Sequence, residues 1–217
     1  VFGQAATVHT YSQTYPQNAG MKPVGFLLSY FKLPDIAGME APSMERVTPV
    51  VMFKLLREYH TGLVSLPVKH HEMIERLLSD VSVSWSLQEC HPSENEHSVY
   101  TIHTNPKFQV ARIYVYDTAP DIILHLKQFI LRLEEEQLLI GELLLNLCDP
   151  STAFYYHDIE SLGFIFNGIL PATNRGTFMT LVYLNGIRPS FDDIKLAENN
   201  GQELLNYIRT DYERRFC

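Results

Sequence analysis

The sequence predicts a mixed α/β (α+β) fold in which helices flank a largely antiparallel sheet. Two observations carry that expectation. Between residues 138 and 186, apolar runs and turn signals read as strand, helix, strand, turn, strand. From Thr61 onward the complete order is β-α-β-β-β-α-β-α-β-β, a mixed arrangement in which strands outnumber crossovers. A third observation is that residues 18–56 repeat the later part of the 138–186 stretch in outline, which predicts a partial second copy over residues 1–60 ahead of a complete one over 61–217, the alternative being a set of accessory strands over 1–57.

Taken in order, residues 5–9 and 24–31 read as strands around a polar segment, and 47–56 as a further strand after a loop rich in Pro, Gly and Met. Asn18-Ala19-Gly20-Met21 precedes its strand as Glu160-Ser161-Leu162-Gly163-Phe164 precedes another. VGFLLSY then corresponds to IFNGILP, and VVMFKLL to MTLVYLN. The complete copy opens with a short strand at 62–66 closed by Pro67. Residues 68–79 place Met73, Ile74, Leu77 and Leu78 on one helical face. Alternation over 81–88 predicts a half-buried strand, and 98–103 and 108–116 two more. Thr118 is the expected N-cap of the longest helix, running to about 136, with Pro120 near its first turn. The apolar run 138–147 stops at Asp149-Pro150, Ser151 is the expected cap of the next helix, and Gly163 ends it. Strands at 164–170 and 177–184 flank the Asn174-Arg175-Gly176 turn, and 202–215 forms the last helix.

The chain has 217 residues, 46% hydrophobic and 19% charged, the composition of a globular protein with a sizeable core. A net charge of -8 argues against nucleic acid or an anionic membrane as partner. Cys90, Cys148 and Cys217 are widely spaced and form no metal pattern, which reads as reduced thiols in a cytoplasmic setting. No signal peptide is expected at 1–15, and Glu142 interrupts a run too short to span a bilayer.

The strand–helix–strand–turn–strand order, with Leu162-Gly163-Phe164 at the helix exit, resembles the last third of the acyl-CoA-dependent N-acetyltransferase superfamily (GNAT), and the likeness in element order extends over roughly residues 62–186. That resemblance implies acetyl-CoA or another acyl-CoA as cofactor and no metal. It implies a glycine-rich loop at the start of the long helix, where backbone N–H groups and the helix dipole hold a pyrophosphate. The matching stretch, 116–121, has neither glycine nor arginine and carries Asp117 and Asp121; Tyr116, Thr118 and Ala119 are the residues that would line the cofactor there. The resemblance further implies a tyrosine acid near the Leu-Gly-Phe, to protonate the departing thiolate. The matching position is Ile159, and Tyr155 and Tyr156 lie one turn earlier. Glu142 would serve as a general base if burial raised its pKa, or would face solvent on the strand's other side.

Two further groups stand out. His9-Thr10-Tyr11-Ser12-Gln13 looks like an element of acetyltransferase-like bacterial proteins, some with a kinase-type ATPase module; its simpler reading is a helix cap by Ser12. His70 and His71 are adjacent, so they point to different faces of a helix and are not spaced as metal ligands. The expected function is therefore acetyltransferase-like: either an acyltransferase with a degenerate coenzyme site or a noncatalytic module of the same fold. Its expected partners are a small-molecule ligand or a protein, a homodimer included, with neither nucleic acid nor membrane.

Overall fold

The computed structural model describes residues 1–32, 46–197 and 201–216. In chain order the first elements are β1 (Phe2–Ala5), α1 (Tyr11–Asn18), β2 (Lys22–Phe26), the short pair β3 (Phe31–Lys32) and β4 (Arg46–Val47), and β5 (Val50–Phe53). Next come β6 (His60–Val64), α2 (His71–Asp80), β7 (Ser84–Leu87), β8 (Val99–Asn105) and β9 (Val110–Asp117). The chain continues through α3 (Ile122–Glu135), β10 (Ile140–Asn146), α4 (Pro150–Ser161), β11 (Ile165–Thr173), β12 (Gly176–Leu184) and α5 (Gln202–Phe216). The expected Pro/Gly/Met loop, much of which lies at 33–45, and Cys217 fall outside the described residues.

Eight strands form one sheet in the order β1-β5-β2-β11-β12-β10-β9-β8, all antiparallel except the β9–β10 pair. The mixed, mostly antiparallel architecture expected from the sequence is thus the one observed. The boundary expected near residue 61 falls in β6, which pairs with β7 outside the large sheet, while strands from both sides of that boundary join in the large sheet itself.

Residues directly opposite one another across a ladder share a face. One such row crosses the whole sheet: Thr101, Tyr114, Leu144, Thr180, Gly168, Gly25, Val51, Gln4. The neighbouring row, with Ile113, Leu143, Leu181 and Phe166, faces the opposite way and lies under the helices. Phe129 and Leu133 of α3 press so closely on Gly141 that an added Cβ would come within 2.5 Å of Leu133. Burying such side chains supplies about 2–3 kcal/mol each, which holds the helix layer down.

Six strands of the sheet are arranged symmetrically about the contact of Gly25 with Gly168. The order β1-β5-β2 on one side is answered by β10-β12-β11 on the other. Both inner strands carry a bulge just before the glycine, between Pro23 and Gly25 and between Phe166 and Gly168. With Gly25 laid on Gly168, the register lays Gln4 on Leu144, and hence Ser12 on Thr152. The hydrogen bonds follow suit: Ser12 Oγ donates to Ala6 O at 3.0 Å, and Thr152 Oγ1 to Asn146 O at 2.8 Å. Gly20 and Gly163 close the two helices with φ of 76° and 99°, a left-handed turn that glycine adopts freely. The C-terminal segment belongs to the first half as β6 belongs to the second, since Lys195 N–H reaches Thr7 O and Ser65 N–H reaches Leu147 O.

Several local expectations are corrected. Residues 11–18, expected as a polar segment with Ser12 capping a helix, form α1 with Thr10 before it and Ser12 inside it; with Pro16 in the helix and Gln13 its one buried residue, it has no apolar period to read. Helix α4 is capped by Asp149, whose carboxylate accepts from Ser151 N–H, because Pro150 at the first turn cannot donate. Helix α3 starts at Ile122 after Asp121, not after Thr118, whose own N–H is drawn to Asp149. The strand expected at 81–88 shrinks to β7, which is mostly exposed and pairs in parallel with β6 alone, outside the large sheet. Its alternating valines, Val81 and Val83, are buried but precede it.

Candidate functional site

Two places deserve a chemical reading: the mouth between β9 and β10, and the sheet face away from the helices. At the mouth the two parallel strands stay paired from Val110–Ile140 to Val115–Leu145. Beyond them Asn146 Nδ2 donates to Tyr116 O at 3.0 Å, which keeps the strands together to their ends. Thr118 and Ala119, both buried, have their N–H groups taken: Thr118 N–H by Asp149 Oδ2 at 2.6 Å, Ala119 N–H by Ser98 Oγ at 2.9 Å. Thr118 Oγ1 also bonds Thr152 Oγ1 at 3.0 Å. Tyr116 stands apart on the open face, its ring covered by Arg175 at 4.5 Å.

The mouth is also acidic. Burial and the nearby Asp149 push the Asp117 carboxyl up. Burial pushes Asp121 up as well, but hydrogen bonds from the Ser98 hydroxyl and N–H, His97 and His125 outweigh it and hold the group at about 2. A helix N-terminus attracts anions through free N–H groups and its dipole. Here Asp149 takes the Thr118 N–H just ahead of the helix, and Asp121, the residue before Ile122, sets a second carboxylate beside that end while bonding Ser98, His97 and His125. The geometry does not fit a coenzyme pyrophosphate.

Tyr156 lies in the helix layer, 4% exposed, within a polar network that joins α2, α4 and α5. Tyr207 donates to Lys69 O, so its oxygen accepts from His70 Nδ1–H at 2.6 Å. His70 Nε2 then accepts the Tyr156 hydroxyl proton, which fixes the tautomer of a neutral imidazole. Burial lowers His70 to about 4, with Asp211 and Glu160 opposing and Lys69 and Arg215 assisting. Burial likewise drives Tyr156 far above the ordinary tyrosine range, which makes it a weak acid. Tyr155 is half-buried and packs edge-to-face on Phe154, and Ile159 is fully buried. His70, Glu160 and Asp211 offer ligand atoms within 4.8 Å of one another, but Lys69 bridges both carboxylates and Arg215 pairs with Glu160 at 2.7 Å. The cluster is charge-balanced without an ion.

Glu142 lies on the other side of the sheet. It is 5% exposed, so it neither faces solvent nor stands free as a base: Arg112 Nε and Nη2 both donate to its Oε2, at 2.7 and 2.5 Å. Burial pushes the Glu142 carboxyl up while Arg112 pulls it back. Tyr155 and Tyr156 therefore share no cavity with Glu142, and no nucleophile–base–acid set assembles from the residues expected to be catalytic.

The Arg112–Glu142 pair divides two hollows on the open face. The larger share of apolar wall belongs to a groove of about 440 Å³ centred on Gly25, bounded by Gln4 and Val51 on one side and by Leu144 and Thr180 on the other. Sequence reasoning missed it, because neither half contains it alone. Its signal was the glycine in each repeat, Gly25 and Gly168. Ser12 and Gln13 serve the scaffold: Ser12 Oγ donates to Ala6 O, Gln13 Nε2 donates to Lys195 O at 2.7 Å and its Oε1 accepts from Ala197 N–H at 3.0 Å, while His9 Nδ1 has no partner among the described residues.

No family model, no curated protein and no solved structure matches this chain. Among the described residues no helix is long and apolar enough to cross a membrane.

Proposed function

We propose that this chain is a noncatalytic binding module on an N-acetyltransferase-like (GNAT-type) framework, with one complete copy and one partial copy joined edge to edge, and that it works by holding a ligand rather than transferring an acyl group. The observation that carries this reading is the Asp149 carboxylate on the Thr118 N–H at 2.6 Å. The donor an acyl-CoA pyrophosphate would need is spent on an internal acid, and two charges of the same sign oppose each other there. Supporting it, the expected acid Tyr156 is committed to His70, and the expected base Glu142 to Arg112.

Titration calorimetry with acetyl-CoA tests the proposal. Silence up to millimolar coenzyme is the expected result. Saturable micromolar binding, abolished by substitution at Thr118 or Ala119 with a bulky residue, overturns it in favour of an acyltransferase.

A further inference from the structure

Gly25 and Gly168 stand side by side at the centre of the row that floors the open face, and neither carries a side chain. Their backbones are in close contact: a Cβ on Gly168 would lie 2.3 Å from Gly25 Cα, and one on Gly25 would lie 2.9 Å from Asn167 O. The floor is therefore lowest where the two halves meet. The bulge between Phe166 and Gly168 adds one residue to β11 there, and a bulge re-aims the side chain it inserts. That residue is Asn167, which lines the groove. It is 2% exposed, and among the described residues its Oδ1 is buried without a hydrogen-bond partner, so a donor in the groove meets it through a turn of the amide. The matching bulge residue in the first half is Val24, fully buried and apolar.

An amide buried without a partner is costly to keep, and its cost is recovered when something with a donor sits against it. Apolar side chains line much of the groove, Leu27, Val51, Leu144 and Leu170, with Gln4 and Thr180 among them. The one charged pair at the groove, Arg112–Glu142, is internally neutralised, so it offers an anion or a cation little net attraction. We infer that this groove binds a small, uncharged, largely apolar molecule that presents an N–H or O–H group to Asn167 Oδ1. The inference supplies the ligand class of the proposed binding module and rests on that reading. A volume of about 440 Å³ suits a ligand of one or two fused rings or an equivalent aliphatic body.

Indole and benzofuran are a matched probe pair, alike in shape and differing in the N–H. Both are titrated into isotope-labelled full chain and followed by two-dimensional NMR. Wild type is expected to prefer indole by roughly fivefold or more, with shifts centred on Thr180, Leu144 and Val51. Asn167→Leu, and Asn167→Ala as a second variant should the larger side chain disturb folding, should bring that ratio to about one. Equal affinity in wild type, a preference that survives both variants, shifts located elsewhere, or a concentration-dependent dimer covering the groove would each overturn the inference. Acetyl-CoA titrated in parallel keeps the two failures apart. Coenzyme binding at the β9–β10 mouth sinks the noncatalytic reading, whereas a silent coenzyme with no indole preference sinks the ligand class alone.

Discussion

On one side of the Gly25–Gly168 contact the outer strand β10 is covered by β9 and α3; on the other, the corresponding strand β1 is the edge of the sheet. Both sides keep the same inner triplet of strands, the same bulge and the same hydroxyl bond from helix to strand end. What differs is what the strand end is attached to. In the covered half Asp149 fastens the strand end to the start of α3, through Thr118 N–H. In the edge half the position is His9, whose Nδ1 is buried without a partner among the described residues. Features shared by both halves are thus requirements of the framework, and features found in one half are where function or assembly has departed from it.

The shared glycine contact should be the least forgiving place in the molecule. Gly168 has φ of 139°, where side chains other than glycine are strained, and a Cβ there would meet the Gly25 Cα and Val24 O at 2.3 Å. Both are backbone atoms, so no rotamer change relieves the clash. Gly168→Ala should cost about 4 kcal/mol or more, by strain and overpacking together. Gly186→Ala, at φ of 69° with nothing within 4 Å, should cost only about 1 kcal/mol. Urea denaturation of the two variants measures both, and equal losses would break the claim that the halves depend on this contact.

The second comparison is between the two faces of the sheet. On the helix face His70 is neutral and walled in by Tyr156, Tyr207 and Phe166, with Asp211, Glu160, Lys69 and Arg215 around it. Its folded pKa of about 4 lies below the unfolded value of 6.5. Between those two values the unfolded chain binds a proton that the folded chain refuses. Stability from this group is therefore whole above pH 6.5 and declines as pH falls toward 4, by roughly 3 kcal/mol in all. Thermal melts from pH 7 to 4 should show a steep fall in wild type that is reduced in His70→Gln. Parallel curves would mean that other groups carry the acid sensitivity.

Much of the framework was legible in the sequence because it rests on local patterns. The 138–186 stretch announced its strands through long apolar runs and its turns through Asp149-Pro150, Gly163 and Asn174-Arg175-Gly176, and all of its elements formed. The correspondence of VVMFKLL with MTLVYLN matches the observed register, in which Val51 falls on Thr180. VGFLLSY set end to end on IFNGILP is two residues out, because the contact that fixes the register is Gly25 with Gly168. The site was harder to read. Glu142 was visible as a charge in an apolar strand, but its partner Arg112 lies 30 residues away on another strand. Asn167 carries no signal in the sequence as a polar residue within a strand; the bulge that places it at the groove depends on pairing with β12. Helix α1 was legible only as a cap at Ser12, since it holds its place through Gln13 hydrogen bonds rather than an apolar stripe.

The finest test of the two halves is at the position they fill differently. Asp149 accepts from Thr118 N–H and Ser151 N–H at once, so Asp149→Ala strips a helix cap and leaves a buried N–H unpaired. A loss of about 2 kcal/mol is expected. His9 occupies the matching place with its ring tilted against Tyr11 at 5.8 Å and, among the described residues, no bond to its Nδ1. His9→Phe keeps the ring and removes an unsatisfied atom, so its stability should stay within about 0.5 kcal/mol of wild type or rise slightly. Chemical denaturation of both variants reads the difference directly. A loss at His9 as large as that at Asp149 would mean that the edge half is fastened through this residue after all, and that the two strand ends differ in partner rather than in commitment.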